Sequence, residues 1–204
     1  MNRVKFHRGA VSLGSAAVAA LIGIAGSNAH AVELVQNGGF ETGTFSGWTT
    51  SPSGAGIDPL VFGVDGAGPK NGQFSAYFGD VNQVYDSIPQ TLATVAGVHY
   101  TLSFYLDASL TQGAPASFIG SFGGVTFLGI GDAQPDFDFR PFTFDVVATG
   151  SSTVLSFKGY NTNSFYTLDD VSVTTPVPEL PSWALMAMAL AAGTTWRRRK
   201  TRIG

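Results

Sequence analysis

The chain has 204 residues and no cysteine, so neither a disulfide framework nor a thiolate metal site is available to it. Its formal net charge of −3 hides an uneven distribution, because eight of its eleven basic residues lie in the terminal segments 3–8 and 197–202. Residues 32–175 carry thirteen acidic and three basic residues, a net charge of −10 that excludes binding to the phosphate backbone of nucleic acids.

The first segment, residues 1–31, has the pattern of a secretory signal peptide. A basic start (residues 3–8) is followed by an apolar stretch (residues 9–26), and Ala29 and Ala31 place small residues at the −3 and −1 positions of a cleavage site. We therefore predict a signal-peptide helix that signal peptidase removes after Ala31. The alternative is a membrane anchor that stays attached to the chain.

Residues 32–175 read as one all-β domain. The segment alternates short apolar and aromatic runs with turns rich in glycine, of which the chain has 26. Tyr100, Leu102, Phe104 and Leu106 fall on one face of a strand, and such period-two patterns with one polar face predict antiparallel sheets packed as a sandwich. No helix is predicted here. The predicted strands are 47–51, 59–64, 74–79, 83–94, 99–108, 116–130, 138–149, 153–161 and 166–174.

The two ends of this domain carry its most specific motifs. "LVQNGGFETGTFSGWT" (residues 34–49) opens it and "LDDVSV" (residues 168–173) closes it. The pair resembles the opening and closing segments of jelly-roll sandwiches of the galactose-binding-like type, which include many carbohydrate-binding modules. The resemblance implies an antiparallel jelly roll whose first and last segments meet.

The same resemblance implies a structural Ca²⁺ where these segments meet. Glu41 and Asp169 are then the first candidate ligands, and Asn37 and Asp170 are weaker additions. Strand alternation places Asp169 on the buried face of the valines that follow it, where a carboxylate needs a partner. The alternative is a clamp without metal, in which Asp169 accepts hydrogen bonds from backbone amides around the 37–41 turn.

Aromatic side chains are the candidate surfaces for stacking on sugar rings. Trp48, Tyr77 and Tyr105 are selected as ligand-binding residues, and alternation favours an exposed Tyr105. Packing in the core is the alternative for Trp48. No spacing among the aromatic residues defines a sugar subsite.

Catalytic motifs are sparse. Once the signal peptide is removed, His99 is the one histidine left, and a Gly-x-Ser-x-Gly nucleophile motif is absent from the sequence. Asp136 and Asp138 have the form of a carboxylate pair, but their turn-like context favours a solvated loop. We therefore predict that the protein is not an enzyme, with a glycoside hydrolase as the less favoured reading.

Residues 176–204 form a short sorting tail. Pro178, Glu179 and Pro181 lie in the motif at 177–181, an apolar helix is predicted over 182–196, and Arg197, Arg198 and Arg199 begin a basic tail at 197–202. At about 1.5 Å per residue the helix spans roughly 22 Å, marginal against a hydrocarbon core of about 30 Å. The basic tail predicts a cytoplasmic end.

This layout resembles the PEP-CTERM sorting tails of Gram-negative bacteria, although Leu180 stands where that motif has its second proline. The resemblance implies processing by an exosortase-like membrane enzyme. An ordinary C-terminal transmembrane anchor is the alternative.

Together these patterns predict an exported protein of a Gram-negative bacterium. The chain would be anchored transiently in the inner membrane and then reach the cell surface, the outer membrane or the extracellular matrix. There its jelly roll would associate with exopolysaccharide. The alternative is a structural or adhesive surface protein without specific glycan binding.

Overall fold

The computed structural model describes residues 30–52, 57–80, 82–109, 113, 115–131 and 135–175. Nearly all of the predicted signal peptide and the whole sorting tail lie outside these residues, so their two predicted helices do too. The same holds for the sorting residues Pro178, Glu179, Pro181, Arg197, Arg198 and Arg199. A search of the described residues for a helix long and apolar enough to cross a membrane found none.

The described residues form nine strands in two antiparallel sheets, which confirms the predicted all-β sandwich. The five-stranded sheet has the order β1-β2-β9-β4-β7 and the four-stranded sheet the order β3-β8-β5-β6. The strands are β1 (Phe62–Asp65), β2 (Ser75–Phe78), β3 (Asp86–Ala93), β4 (His99–Ala108), β5 (Ala116–Phe122), β6 (Val125–Ile130), β7 (Phe137–Val147), β8 (Ser152–Asn161) and β9 (Tyr166–Thr174).

The core lies between the two sheets and is built largely from phenylalanine rings. In β4 the predicted alternation holds, since Leu102, Phe104 and Leu106 are buried. Phe104 meets Phe157 of the opposite sheet edge to face, with ring centroids 5.1 Å apart. Burying such a side chain contributes about 1.5–3 kcal/mol. The aromatic runs therefore supply the stability that a chain without disulfides needs.

The first and last described segments meet, as the resemblance implied. The amide of Leu34 donates to the carbonyl of Val173 at 2.9 Å, and the amide of Val171 donates to the carbonyl of Gly38 at 3.0 Å. β2 pairs with the first half of β9, and the opening segment lies beside the second half of the same strand. The opening motif is thus joined to the closing one by backbone hydrogen bonds.

Two of the predicted strands are wrong. Residues 116–130 form not one strand but the hairpin β5–β6, because Gly123 and Gly124 have φ angles of 59° and 82° and make a two-residue turn. Residues 47–51 form no strand. They lie beside β3, where Ser51 forms a bridge with Ser87 and the amide of Thr49 donates to the carbonyl of Pro89 at 2.9 Å.

Candidate functional site on the five-stranded sheet

A β-bulge in β9 determines where Asp169 points. Ser172 pairs with Ser103 and Asp169 pairs with Tyr105, so one residue of β4 lies opposite two residues of β9. Asp170, with a φ of 51°, takes up the extra residue. Asp169 therefore shares the outer face of Tyr105. The prediction that it shares the core face of the valines is wrong, because the bulge shifts the alternation.

Asp169 is nevertheless fully buried, beneath the loop that joins β1 to β2. Its Oδ2 accepts hydrogen bonds from the amides of Lys70 at 2.8 Å and Asn71 at 3.2 Å, and its Oδ1 accepts one from the amide of Asp170 at 2.7 Å. Burial has the largest effect on Asp169 and raises its pKa. The three amide hydrogen bonds lower this pKa and the charge of Asp170 raises it, each with a smaller effect. The carboxylate fixes the loop to the sheet.

Glu41 holds the same loop from the opening motif. Its carboxylate accepts hydrogen bonds from the amides of Gln73 at 3.0 Å and Phe74 at 3.1 Å. The close approach requires glycine at position 72, since a Cβ there would overlap the Glu41 carboxylate and the φ of Gly72 is 66°. Glu41 and Asp169 therefore form a loop clamp, which we define as these two carboxylates and the backbone of residues 70–74.

Asn37 and Trp48 belong to a separate turn. The Asn37 amide group donates to the carbonyls of Thr44 and Ser46 at 2.9 and 3.0 Å. The indole of Trp48 donates to the carbonyl of Asn37 at 3.2 Å and stacks on Phe40 at 5.9 Å. Trp48 is buried, so it offers no face to a ligand, and the alternative of core packing describes it.

The candidate calcium ligands do not form a coordination shell as they are arranged here. A Cβ built on Gly39 lies 3.6 Å from Asp170 Oδ1 and 3.8 Å from Asp169 Oδ1, so two carboxylates do converge there. Within the described ranges, however, no three acidic, histidine or cysteine side chains are grouped to hold a metal ion. Backbone amides occupy the carboxylates instead. The loop amides that bind the two carboxylates belong to residues 70–74 rather than 37–41, and Ca²⁺ stays a prediction.

An open cleft of about 470 Å³ lies on the outer face of the five-stranded sheet. Alternation builds it, because side chains that point away from the core come together once all five strands are paired in register. The strands contribute Asp65 of β1, Ser75 and Tyr77 of β2, Thr167 of β9, Asp107 of β4 and Phe139 of β7. The cleft thus combines aromatic rings, hydroxyls and carboxylates.

Two aromatic side chains form the apolar wall of this cleft. Phe165 meets Tyr77 edge to face, with centroids 5.4 Å apart, and it remains 37% exposed. The hydroxyl of Tyr77 donates to the carbonyl of Pro59 at 2.6 Å, so the ring is held in place. A Cβ on Gly63, the register partner of Tyr77, would collide with that ring. The tyrosine ring therefore lies across β1 where glycine leaves room.

Aspartate side chains lie close to the titratable groups of the cleft. Burial raises the pKa of Asp107, and the charges of Asp138 and Asp136 raise it further, against the hydrogen bond that Ser109 donates to it at 2.9 Å. Burial likewise raises the pKa of Tyr77, and Asp65 adds to this effect. A carboxylate in such a place readily accepts hydrogen bonds from a ligand.

The tyrosines predicted to stack on sugar rings lie in different surroundings in the structure. Tyr77 lines the cleft. Tyr105 lies half-buried on the same face of the sheet, but the ammonium of Lys70 covers its ring at 5.1 Å from the centroid. Asp107 was accessible to sequence reasoning, since it lies two residues after Tyr105 in an alternating strand. Phe139 and Phe165 had no such signal, because the pairing of distant strands brings them together.

The remaining candidates from the sequence are His99, Asp136 and Asp138, and none of them is among the described residues that line the cleft. His99 is exposed, and its Nδ1 lies 2.7 Å from the exposed carboxylate of Asp145. Asp136 and Asp138 line a second, smaller hollow of about 360 Å³ beside Ser109. Their charges raise the pKa of Asp107.

No protein-family model matches the sequence, and no curated protein sequence matches it. Solved structures do. The carbohydrate-binding module TmCBM61, in complex with β-1,4-galactotriose, matches with a TM-score of 0.55 and 18% identity over 71% of this chain and 99% of that chain. The CBM22-1 xylan-binding domain of Paenibacillus barcinonensis Xyn10C matches with a TM-score of 0.50 and 16% identity over 74% and 97%. The fold is a jelly roll.

The same comparison corrects the prediction that this protein is not an enzyme. The Stig cyclase Fisc from Fischerella sp. TAU, in complex with an indole ligand, matches with a TM-score of 0.54 and 18% identity over 74% of this chain and 100% of that chain. Enzymes are therefore built on this jelly roll as well as binding modules. The prediction is wrong as an inference from the fold, since the same fold occurs in enzymes.

Proposed function

We propose that this protein binds a saccharide in the cleft on its five-stranded sheet. The observation that carries the proposal is the composition of that cleft, in which Tyr77 and Phe165 stand beside Asp107 and Ser75. Aromatic rings pack against the C–H faces of sugars, and carboxylates and hydroxyls accept and donate hydrogen bonds to their hydroxyl groups. The likeness to modules crystallised with, or named for binding, β-linked glycans supports this reading.

We further propose that the protein acts outside the cytoplasm. The signal-peptide pattern of residues 1–31 and the tail of residues 176–204 support export, transient anchoring in the inner membrane and processing by an exosortase-like enzyme. An exopolysaccharide at the cell surface, the outer membrane or the matrix is then the natural ligand. Mass spectrometry of the protein recovered from the cell surface tests both ends at once. Retention of residues 1–31 or of the intact tail would contradict the corresponding step.

The test of binding compares two aromatic variants, one at the cleft and one on the four-stranded sheet. Phe165→Ala removes the exposed ring at the cleft, and Tyr160→Ala removes a half-buried ring on the outer face of the four-stranded sheet. The full-length protein is titrated with β-1,4-galactotriose and with xylo-oligosaccharides by calorimetry. We expect Phe165→Ala to weaken binding at least about tenfold, with Tyr160→Ala unchanged. The reverse pattern would place the site on the other sheet, and no binding of any saccharide would refute the function.

A second candidate function is acid catalysis in the same cleft. The specific observation is Asp107, whose pKa is raised by burial and which lines the cleft together with Phe139 and Phe165. Such a group can protonate an aromatic ligand of the kind crystallised with the cyclase. Titration with 4-(1H-indol-3-yl)butan-2-one, the ligand of another cyclase complex, tests this candidate. Binding of the indole that Asp107→Asn abolishes, without binding of saccharides, would favour the cyclase-type reading.

A further inference from the structure

Five aspartates line the cleft or act on the groups that line it. Asp65 and Asp107 line it, Asp58 acts on Tyr77 at its wall, and Asp136 and Asp138 act on Asp107. Among the described contacts, Asp65 Oδ1 accepts the amide of Ala67 and Asp107 Oδ1 accepts the Ser109 hydroxyl, and neither Oδ2 has a hydrogen-bond donor. Each carboxylate therefore keeps one oxygen for a ligand.

No basic side chain of the described residues lines the cleft. The three basic residues of the sandwich each lie over an aromatic ring instead: Lys70 over Tyr105, Arg140 over Phe137 and Lys158 over Tyr85. The internal residues outside the described ranges contain no lysine, arginine or histidine. None of these three cations is therefore among the residues that line the cleft.

An independent feature marks the cleft as a place for a ligand. Ser75 is 1% exposed and lines the cleft, and its hydroxyl has no hydrogen-bond partner among the described residues. A buried hydroxyl without a partner carries a desolvation cost that a ligand group can remove. The cleft thus offers two carboxylate oxygens and one hydroxyl to a ligand rich in donors.

We infer that the cleft prefers saccharides bearing protonated amino groups, such as glucosamine units, over neutral sugars and excludes sugars bearing carboxylates. The inference rests on the proposed function, since it specifies the ligand of the same site. An ammonium group donates up to three hydrogen bonds and offsets the aspartates, whereas a uronate adds another charge of the same sign in a site with no cation. The expected order of affinity is therefore cationic, then neutral, then anionic.

The experiment titrates the full-length protein with three probes of equal length. These are chitosan oligosaccharides, their fully N-acetylated forms and oligogalacturonates, in low-salt buffer in which the amine is protonated. We expect the amino form to bind at least about tenfold more tightly than the N-acetylated form, and oligogalacturonate not to bind. Added salt should reduce this preference.

Two variants separate the cleft from the overall negative charge of the protein. Asp107→Asn should remove most of the preference for the amino form, while Asp145→Asn, an exposed carboxylate outside the cleft, should leave it intact. Equal losses in both variants, or equal affinity for the amino and N-acetylated forms, would overturn the inference and leave saccharide binding standing. Failure of all three probes and of the neutral β-linked oligosaccharides would overturn both.

Discussion

At the scale of single residues, Asp107 links stability to pH. Its pKa is raised in the folded protein, so the folded state binds its proton more tightly, and its contribution to stability is lost as the pH rises through the folded pKa. Asp107→Asn removes this loss and keeps an acceptor for Ser109. We expect the variant to melt at a higher temperature than wild type at neutral pH. The gain in unfolding free energy should be less than about 1 kcal/mol, because the cleft is open to solvent.

The advantage of Asp107→Asn should shrink as the pH falls below the ordinary range of an aspartate, where both proteins are uncharged at this position. Thermal melts across the pH range measure it, with Asp145→Asn as the control. A variant that is less stable than wild type at neutral pH would mean that the carboxylate is stabilised rather than strained in its cleft.

Asp169 tests the loop clamp. Asp169→Ala leaves the amides of Lys70, Asn71 and Asp170 without their acceptor and should cost about 2–4 kcal/mol of unfolding free energy by chemical denaturation. Asp169→Asn, which keeps a carbonyl acceptor, should cost less. If backbone amides alone hold the carboxylate, EDTA will leave the wild-type melt unchanged. A lower melting temperature in EDTA, absent in Asp169→Ala, would instead establish the calcium ion predicted from the sequence.

At the scale of elements, the pairing of β1 with β2 prepares the cleft. Gly63 lies opposite Tyr77 and gives its ring the space to cross β1. Gly63→Ala should displace the ring, cost about 1–3 kcal/mol and weaken saccharide binding. Gly129→Ala in β6 is the matched control, since nothing lies within 4 Å of a Cβ there. Unchanged affinity of Gly63→Ala in calorimetry would remove the Tyr77 ring from the binding surface.

The sequence predicts strands with regular alternation correctly. It predicts strand ends and register wrongly where a turn or a bulge decides them. β4 begins and ends where its period-two pattern does, at His99 and Ala108. The β5–β6 hairpin was missed although the Gly123–Gly124 pair is a recognised two-residue turn signal, because apolar residues continue on both sides. The bulge at Asp170 has no signal in a single sequence, since it depends on pairing with β4.

At the scale of the whole molecule, the sandwich and the meeting of its ends could be predicted, but the cleft could not. Glu41 and Asp169 were selected from the terminal motifs and do act on one loop. The cleft, in contrast, is lined by residues of five strands. The order of these strands in the sheet cannot be inferred from patterns among residues close in sequence. Tyr77 alone of the predicted ligand-binding residues lines it.

The central claim is that the outer face of the five-stranded sheet holds a saccharide. The most direct measurement is an amide NMR titration of the full-length protein with β-1,4-galactotriose, the ligand of a structurally similar module, and with chitosan oligosaccharides. The account predicts saturable shifts that cluster at Asp65, Ser75, Tyr77, Asp107 and Phe165. Shifts confined to the four-stranded sheet, or none with either saccharide, would contradict it.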